Sequence, residues 1–465
     1  MILTVEARSL KFAAEACAAE IRRGSGEVVF QNVNTDSRQV RPGDLFVALK
    51  GDRFDGHDFV SQVAGPGAVA MLVERNRMPD HLPECAVLVV ENTRTALGQL
   101  GAAYRRQFEL PVIAVGGSNG KTTTKELVAA LLRQKLPALW SQASFNNDIG
   151  VPLTLLQLES QHRAAVLEVG TNHPGELAPL VRMVNPGIGI ITNIGREHLE
   201  FFGDVAGVVK EEGMLAELLP ATGTLILNGD DAYSHEISLR TKARVVRVGL
   251  GEKNDWRAKG ARLDKGGVNF RVEGPQAGLN GDYRVNLLGR HQVLNALLAI
   301  AAGAELDLGR AEIQRGLAEC QPAKMRLQYW EANGIRVLDD TYNANADSTL
   351  AALETLCDLP LQGRRVAVLG DMAELGTQSA AAHVEVGRRA AKLGIGQLFV
   401  IGKMGPVTAR AARDAGLTRV IEFAEVEMAA PAIKNFLKTG DVVLLKASRV
   451  SHLERIAESL QTERM

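Results

Sequence analysis

The apolar positions along the chain fall into two alternating patterns. Short continuous runs of Val, Ile, Leu and Ala alternate with longer stretches where apolar residues recur every three or four positions. The first pattern marks a strand buried on both faces, the second an amphipathic helix packed between strands. Their alternation predicts α/β layers with mostly parallel sheets. The segments group into three blocks. Residues 1–108 hold predicted strands at Val28–Phe30, Leu45–Leu49, Ala70–Val73 and Ala86–Val90. Residues 109–315 hold Val112–Val115, Ala165–Glu168, Ile188–Ile191 and Thr224–Leu227. Residues 256–288 switch to a period of two, which predicts an antiparallel β insertion before a helix from His291 to Ala302. Residues 316–465 hold Ile335–Asp339, Arg365–Leu369, Leu398–Ile401, Arg419–Phe423 and Val442–Leu445, separated by helical runs. That block reads as a doubly wound sheet of the nucleotide-binding type.

Composition bounds the function. A chain of 465 residues fits two to four domains. Fifty-three basic residues against 54 acidic ones give a net charge of −1, which argues against binding nucleic acid or membrane through bulk charge. No apolar run approaches the length of a membrane span. The longest, Ala296–Ala304, reads as a core helix. The first dozen residues carry Glu6 and no apolar core, so no secretory signal is expected. Cys17, Cys85, Cys320 and Cys357 are far apart and read as isolated thiols of a reducing, cytoplasmic compartment. The 46 glycines exceed the usual share, and one cluster carries chemistry.

That cluster follows the clearest strand in the chain. Val112–Val115 runs into Gly116-Gly117-Ser118-Asn119-Gly120-Lys121-Thr122-Thr123-Thr124 and then a helical stretch. Strand, glycine-rich turn, Gly-Lys-Thr and helix are the parts of a phosphate-binding loop. Its backbone N–H groups and the helix N-terminus face phosphate oxygens. Lys121 would meet the β- and γ-phosphates, and the Thr122 hydroxyl would ligate Mg²⁺. The strict motif needs glycine where the chain has Val115, so the loop is a variant. Two more strand ends point to the same edge. Glu168 closes one strand, and a carboxylate there suits a hard cation. His198 follows another, in Arg196-Glu197-His198-Leu199-Glu200.

Further segments complete a pattern: Thr35-Asp36-Ser37-Arg38, RPGDLFVALKG, FDGHDF, GSNGKTTTKE, Asn146-Asn147-Asp148-Ile149-Gly150, LEVG, EHLEFFG, GRHQVLNALLA, DDTYNAN, VLGDMAELG and KASR. In this order the chain resembles the Mur ligase family, ATP-dependent amide-bond ligases of bacterial peptidoglycan synthesis, over nearly its whole length. The short GxNGKT loop is the form that family uses. The resemblance implies three α/β domains: a small N-terminal substrate domain (1–108), a central ATP-binding domain (109–315) and a C-terminal Rossmann-like domain (316–465). It also implies a reaction in which the terminal carboxylate of UDP-N-acetylmuramoyl-tripeptide is phosphorylated by ATP. The acyl phosphate is then attacked by the amine of D-Ala-D-Ala, giving an amide, ADP and phosphate. The stretch Tyr342-Asn343-Ala344-Asn345 resembles the signature of the dipeptide-adding member, though the closing proline is missing, and no DNPR-type motif of the sister ligase that adds the third amino acid is present. That sister, a folylpolyglutamate synthase and a non-catalytic nucleotide-binding relative are the alternatives.

Site residues carry over by motif. Lys121, Glu168, His198 and Arg326 are the expected catalytic groups. Gly117, Ser118, Asn119, Gly120, Lys121, Thr122, Thr123, Asn295, Arg326 and Asp340 would hold ATP, with Asn295 at the adenine and Asp340 at the ribose. Gln292 stands where the family has a second asparagine. Asp36, Ser37, Arg38 and His57 would lie along the UDP-sugar site, Asn146 and Asn147 by the muramoyl-peptide, and Tyr342, Asn345 and Ser448 by the incoming dipeptide. Taken alone, Arg326 reads as a solvated arginine and Ser448 as a helix cap. Two Mg²⁺ ions are implied, held by Thr122, Glu168, His198 and Glu212. Glu212 stands where the family commonly has a carbamylated lysine, and it keeps the negative oxygens on a shorter arm. A monomer is expected.

Overall fold

The computed structural model describes residues 6–51, 53–64, 67–78, 81, 84–264, 266–360 and 362–461. Three principal sheets follow one another along the chain. The first has the strand order Glu20–Arg23, Ala86–Val90, Ala70–Glu74, Asp44–Val47, Asn32–Asn34, parallel except at its Glu20–Arg23 edge. Its inner strands are apolar apart from Asp44 and Glu74 at strand ends, because both faces are covered. Leu45, Val47, Leu72 and Leu88 point into one core, Phe46, Met71, Val87 and Val89 into another.

The central sheet has nine strands in the order Gly281–Val285, Gly267–Glu273, Trp256–Asp264, Arg244–Gly249, Thr224–Asn228, Ile188–Ile191, Val112–Gly116, Ala164–Glu168, Ala138–Trp140. The period-two region forms antiparallel strands, as its alternation requires. Trp256–Asp264 pairs in parallel with Arg244–Gly249, so the hairpin extends the same sheet. The helix Gln292–Glu305 lies on one face beside Lys121–Leu132. It is apolar nearly all round because it is buried nearly all round.

On the other face the helices Thr93–Arg105 and Leu177–Val184 join the first sheet to the central one in a continuous core. Leu10, Leu45, Leu88 and Tyr104 pack in one cluster with Val112, Ala114, Leu155 and Leu167. Gly101 makes this seam close: a Cβ there would lie 2.7 Å from Cβ of Pro152.

The third sheet runs Gln328–Ala332, Ile335–Asp340, Val442–Lys446, Arg365–Leu369, Gln397–Ile401, Val420–Phe423, parallel except for its first strand. Helices Ala346–Asp358, Ser379–Lys392 and Gly405–Asp414 cover one face, Val426–Phe436 and Glu454–Gln461 the other. The last strand returns between the first and second parallel strands. Asp340, Lys446 and Gly370 therefore gather at one edge, where a doubly wound sheet binds ligands. The four cysteines are unpaired, and burial pushes the Cys17 and Cys320 thiols up to about 12. Among the described residues no helix is long and apolar enough to cross a membrane.

Candidate active site

Three neighbouring strands of the central sheet deliver their carboxyl ends to one place. Glu168 sits level with Val115, and Ile191 with Gly116. The glycine-rich loop between Gly116 and Lys121 is therefore flanked by Glu168 on one side and by the Thr192–His198 segment on the other. Gly117 (φ +105°) and Gly120 (φ +85°) adopt backbone that side-chain-bearing residues rarely take. Neither site has room: a Cβ on Gly117 would lie 2.4 Å from Thr192 Oγ1, and one on Gly120 2.6 Å from Asn295 Oδ1.

The loop is pinned from behind. Gly117 N–H donates to Glu212 Oε2 (2.6 Å), Ser118 N–H to the Asn193 carbonyl (2.8 Å) and Asn119 N–H to Asn193 Oδ1 (3.1 Å). The Lys121 ammonium donates to the Gly117 and Ser118 carbonyls and to Glu197 Oε2 (3.2 Å). Burial disfavours that charge, but Glu197, Glu212 and Glu168 outweigh it and hold the Lys121 pKa above its ordinary value. Burial acts alone on no group here. It pushes the Glu212 carboxyl up to about 7, with Lys121 and the Gly117 N–H pulling the other way.

Three buried oxygens around the loop have no hydrogen-bond partner: Thr122 Oγ1, Glu168 Oε2 and Glu212 Oε1. Orphaned buried oxygens are uncommon, and a hydroxyl with a carboxylate oxygen is a donor set for a hard cation. Glu168 uses its other oxygen to accept from Asn146 Nδ2 (2.8 Å).

His198 caps a short helix in left-handed backbone (φ +48°). Its Nδ1 lies 2.6 Å from Oε2 of Glu374, in the loop after the third-sheet strand Arg365–Leu369. Glu374 was not foreseen, although it lies in the quoted VLGDMAELG segment. The hydrogen bond from His198 holds the Glu374 carboxyl below the usual carboxylate range. Two more contacts tie the sheets together. Asn345 Nδ2 donates to Asn119 Oδ1 (3.0 Å), and Arg196 donates to Asp347 and Glu385.

The result is one cavity of about 1690 Å³ between the sheets. Ser118, Asn119, Gly120, Lys121, Thr122, Thr123, Asn146, Asn147, Glu168, His198, Asn295, Arg326, Asp340, Tyr342, Asn345 and Ser448 all line it. Several have structural duties as well. Asn295 accepts from Thr124 and donates to Gln292. Asn147 Oδ1 accepts from the Ile149 and Gly150 N–H groups where the helix Gly150–Leu155 begins. Arg326 lies over the Tyr342 ring, 4.2 Å from its centroid. Asp340 accepts from the Leu327 N–H and from the buried Lys446 ammonium (2.6 Å). Ser448 is not a free hydroxyl: it accepts from Ala373 N–H and donates to the Ala344 carbonyl, bracing the loop that carries Glu374.

Some of the expected residues lie apart from the cavity lining. Glu212 does not line the cavity. It lies behind the loop as the acceptor for Gly117, and among the described residues no three His, Cys, Asp or Glu side chains converge as a metal cluster. His57 is not presented to the cavity either. It is buried, with Nδ1 against Asp55 (2.6 Å) and Nε2 accepting from Glu74 N–H, so both ring nitrogens serve the first sheet. Asp36, Ser37 and Arg38 also lie outside the cavity lining, with Asp36 held low by its fork of bonds to exposed Arg38. Glu197, Asn193 and Lys446 also line the cavity, and motif spacing did not single them out.

Comparison with known proteins gives the same picture. Family models for the Mur ligase catalytic domain, middle domain and glutamate ligase domain match residues 29–105, 115–303 and 325–449. The UDP-N-acetylmuramoyl-tripeptide–D-alanyl-D-alanine ligase of Escherichia coli is 38% identical over 440 residues, 94% of each chain. The crystal structure of MurF from Acinetobacter baumannii superposes with a TM-score of 0.89 at 35% identity, covering 99% of this chain and 100% of that one. The MurF ligase of Thermotoga maritima in complex with ADP gives 0.79 at 28% identity, covering 92% and 97%. The chain belongs to the Mur ligase family.

Proposed function

We infer that the chain is an ATP-dependent ligase joining D-Ala-D-Ala to the terminal carboxylate of UDP-N-acetylmuramoyl-tripeptide, the two substrates named in its relatives. The observation that carries this reading is a cavity lined by both the phosphate loop and Arg326, Asp340, Tyr342 and Asn345 of the third block. ATP, a peptide carboxylate and an amine must meet, and this space offers groups from both blocks to them.

The chemistry follows from charge. A carboxylate resists attack by an amine because it is anionic and delocalised. Transfer of the γ-phosphoryl group to it releases ADP and creates a mixed anhydride with a good leaving group. The amine then attacks the carbonyl carbon, loses a proton and expels phosphate. The first step brings two anions together, so neutralisation and positioning dominate its barrier. Lys121 supplies one cation from the central sheet and Arg326 one from the third. Asn295 faces the base and Asp340 the ribose. Asn146 and Asn147 stand beside the acyl chain, and Tyr342 and Asn345 beside the dipeptide. Asp36, Ser37 and Arg38 belong to the outer, UDP-sugar end.

The orphaned Thr122 and Glu168 oxygens fit a nucleotide-bound Mg²⁺, with His198 toward a second. Such ions would neutralise phosphate charge. Glu212 anchors the loop. The chain works as a monomer in the cytoplasm. Phosphate release from ATP, measured with each substrate omitted in turn, tests the reading. Release must require both the tripeptide and the dipeptide, and Lys121→Ala must abolish it. Release that ignores the dipeptide would refute it.

A further inference from the structure

Lys125 lies one turn beyond Lys121 on the phosphate-loop helix, and it is fully buried. A lysine ammonium is costly to bury unless it is paired and fully hydrogen-bonded, so an apolar residue would fill the same space more cheaply. Here each donor has a use. The ammonium contacts the Glu126 carboxylate and donates to the backbone carbonyls of Ser141 (2.7 Å) and Ala143 (3.0 Å). Ala143 is left-handed (φ +47°), a conformation that must be held by its surroundings.

The segment it holds does one further thing: it fixes Glu168. The Ser141 hydroxyl accepts from the Glu168 N–H (3.1 Å), and Asn146 Nδ2 donates to Glu168 Oε1 (2.8 Å). The Asn146 carbonyl accepts from Gly170 N–H (2.9 Å), and a Cβ on Gly170 would lie 2.5 Å from Asn146 Nδ2, so the two strands of chain cannot shift independently. One hydrogen-bonded path therefore runs from the phosphate-loop helix through Lys125, the 141–146 segment and Asn146 to Glu168. Its two ends carry the orphaned buried oxygens, Thr122 Oγ1 and Glu168 Oε2.

We propose that Lys125 is a positioning residue that couples the phosphate-loop helix to Glu168 and so sets the spacing of the two oxygens offered to a nucleotide-bound divalent cation. This rests on the functional reading above. A residue that acts through ligand orientation changes metal affinity about 10–100-fold.

The test uses the full chain and ADP, so no turnover is involved. ADP binding is measured by calorimetry in EDTA and in Mg²⁺, for the wild type, Lys125→Met, Lys125→Gln, Glu168→Gln and the Lys125→Met/Glu168→Gln pair, with thermal unfolding alongside. The wild type should bind ADP more tightly with Mg²⁺. Lys125→Met should lose about tenfold or more of that gain while its affinity in EDTA stays within about twofold. Lys125→Gln, whose amide can still donate to the carbonyls, should lose less than Lys125→Met. The pair should lose no more than Glu168→Gln alone. A Lys125→Met protein with the full Mg²⁺ gain, or losses that add in the pair, would overturn the proposal. If Lys125→Met does not fold, an undiminished gain in Lys125→Gln overturns it equally. A wild type without any Mg²⁺ gain would refute the cation reading itself.

Discussion

Arg196 and Asp347 fasten the central sheet to the third: the guanidinium Nε donates to Asp347 Oδ1 (3.0 Å), and the Arg196 backbone N–H donates to Asp347 Oδ2 (2.9 Å). Glu385 accepts from the same guanidinium (2.6 Å). These groups are about one-third exposed, so each ion pair contributes little, on the order of 0.5 kcal/mol, and salt screens it. Arg196 is one of several side chains that bridge the two units, beside His198–Glu374, Asn119–Asn345 and Arg290–Asp358. Arg196→Ala should therefore shift the closed population by about 1 kcal/mol, roughly fivefold. Small-angle scattering should show a larger radius of gyration, with thermal stability nearly unchanged.

Glu374 holds His198 from the opposite sheet, so it sets which ring nitrogen is free. Glu374→Gln keeps the shape and loses the charge. It should lower kcat about tenfold or more with a smaller effect on the KM for the tripeptide. The pH dependence has a definite sign. The Glu374 pKa is depressed in the folded protein, so its contribution to stability is present above the unfolded carboxylate value near 4.5 and is lost as pH falls through the lower folded value. Wild type and Glu374→Gln should converge in melting temperature under acid.

Much of this site could be read along the chain because phosphate binding depends on local order. Gly117, Gly120, Lys121 and Thr122 are neighbours in sequence and in space, and the strand before them is a plain apolar run. Glu168 and His198 were reachable because parallel strands place their carboxyl ends together. What stayed hidden depends on pairing between distant segments. Nothing in the spacing of Asp347 or Glu374 announces a partner near residue 196 or 198, and Lys446 became a buried partner of Asp340 only through strand order. The contacts of the His57 ring with Asp55 and the Glu74 N–H likewise depend on the fold and are not announced by its local sequence. Short edge strands at Asn32–Asn34 and Gln328–Ala332 carry mixed polar residues without the continuous apolar signal, and Ala138–Trp140, though apolar, is only three residues long.

Glu212 gives stability a second pH signature, of opposite sign. Its folded pKa is raised to about 7, chiefly by burial. The folded state then holds a proton that the unfolded chain releases near 4.5, so stability should fall as pH rises between those values, by at most about 1.4 kcal/mol per unit of pH. Glu212→Gln keeps an acceptor for the Gly117 N–H and cannot ionise. Denaturant unfolding from pH 5 to pH 8 should show a flatter profile in the variant than in the wild type. Parallel profiles would mean that the carboxyl is ionised throughout.

Two glycines on one helix separate backbone freedom from close packing. Gly98 and Gly101 both lie within Thr93–Arg105, at the seam between the first and central sheets. A Cβ on Gly98 would meet only the terminal methyl of Met183, at 3.0 Å, which can swing aside. A Cβ on Gly101 would meet Pro152 Cβ at 2.7 Å and Cα at 2.9 Å, parts of the chain that cannot move alone. Gly98→Ala should gain helix propensity, up to about 1 kcal/mol, and leave the melting temperature level or higher. Gly101→Ala should lose about 1–3 kcal/mol, because the overpacked helix must back away from the central sheet. Since that seam carries the core shared by the two sheets, the Gly101 variant should also loosen protection of Leu155 and Tyr104 amides in hydrogen exchange, while those of Leu444 and Leu445 in the third sheet stay protected.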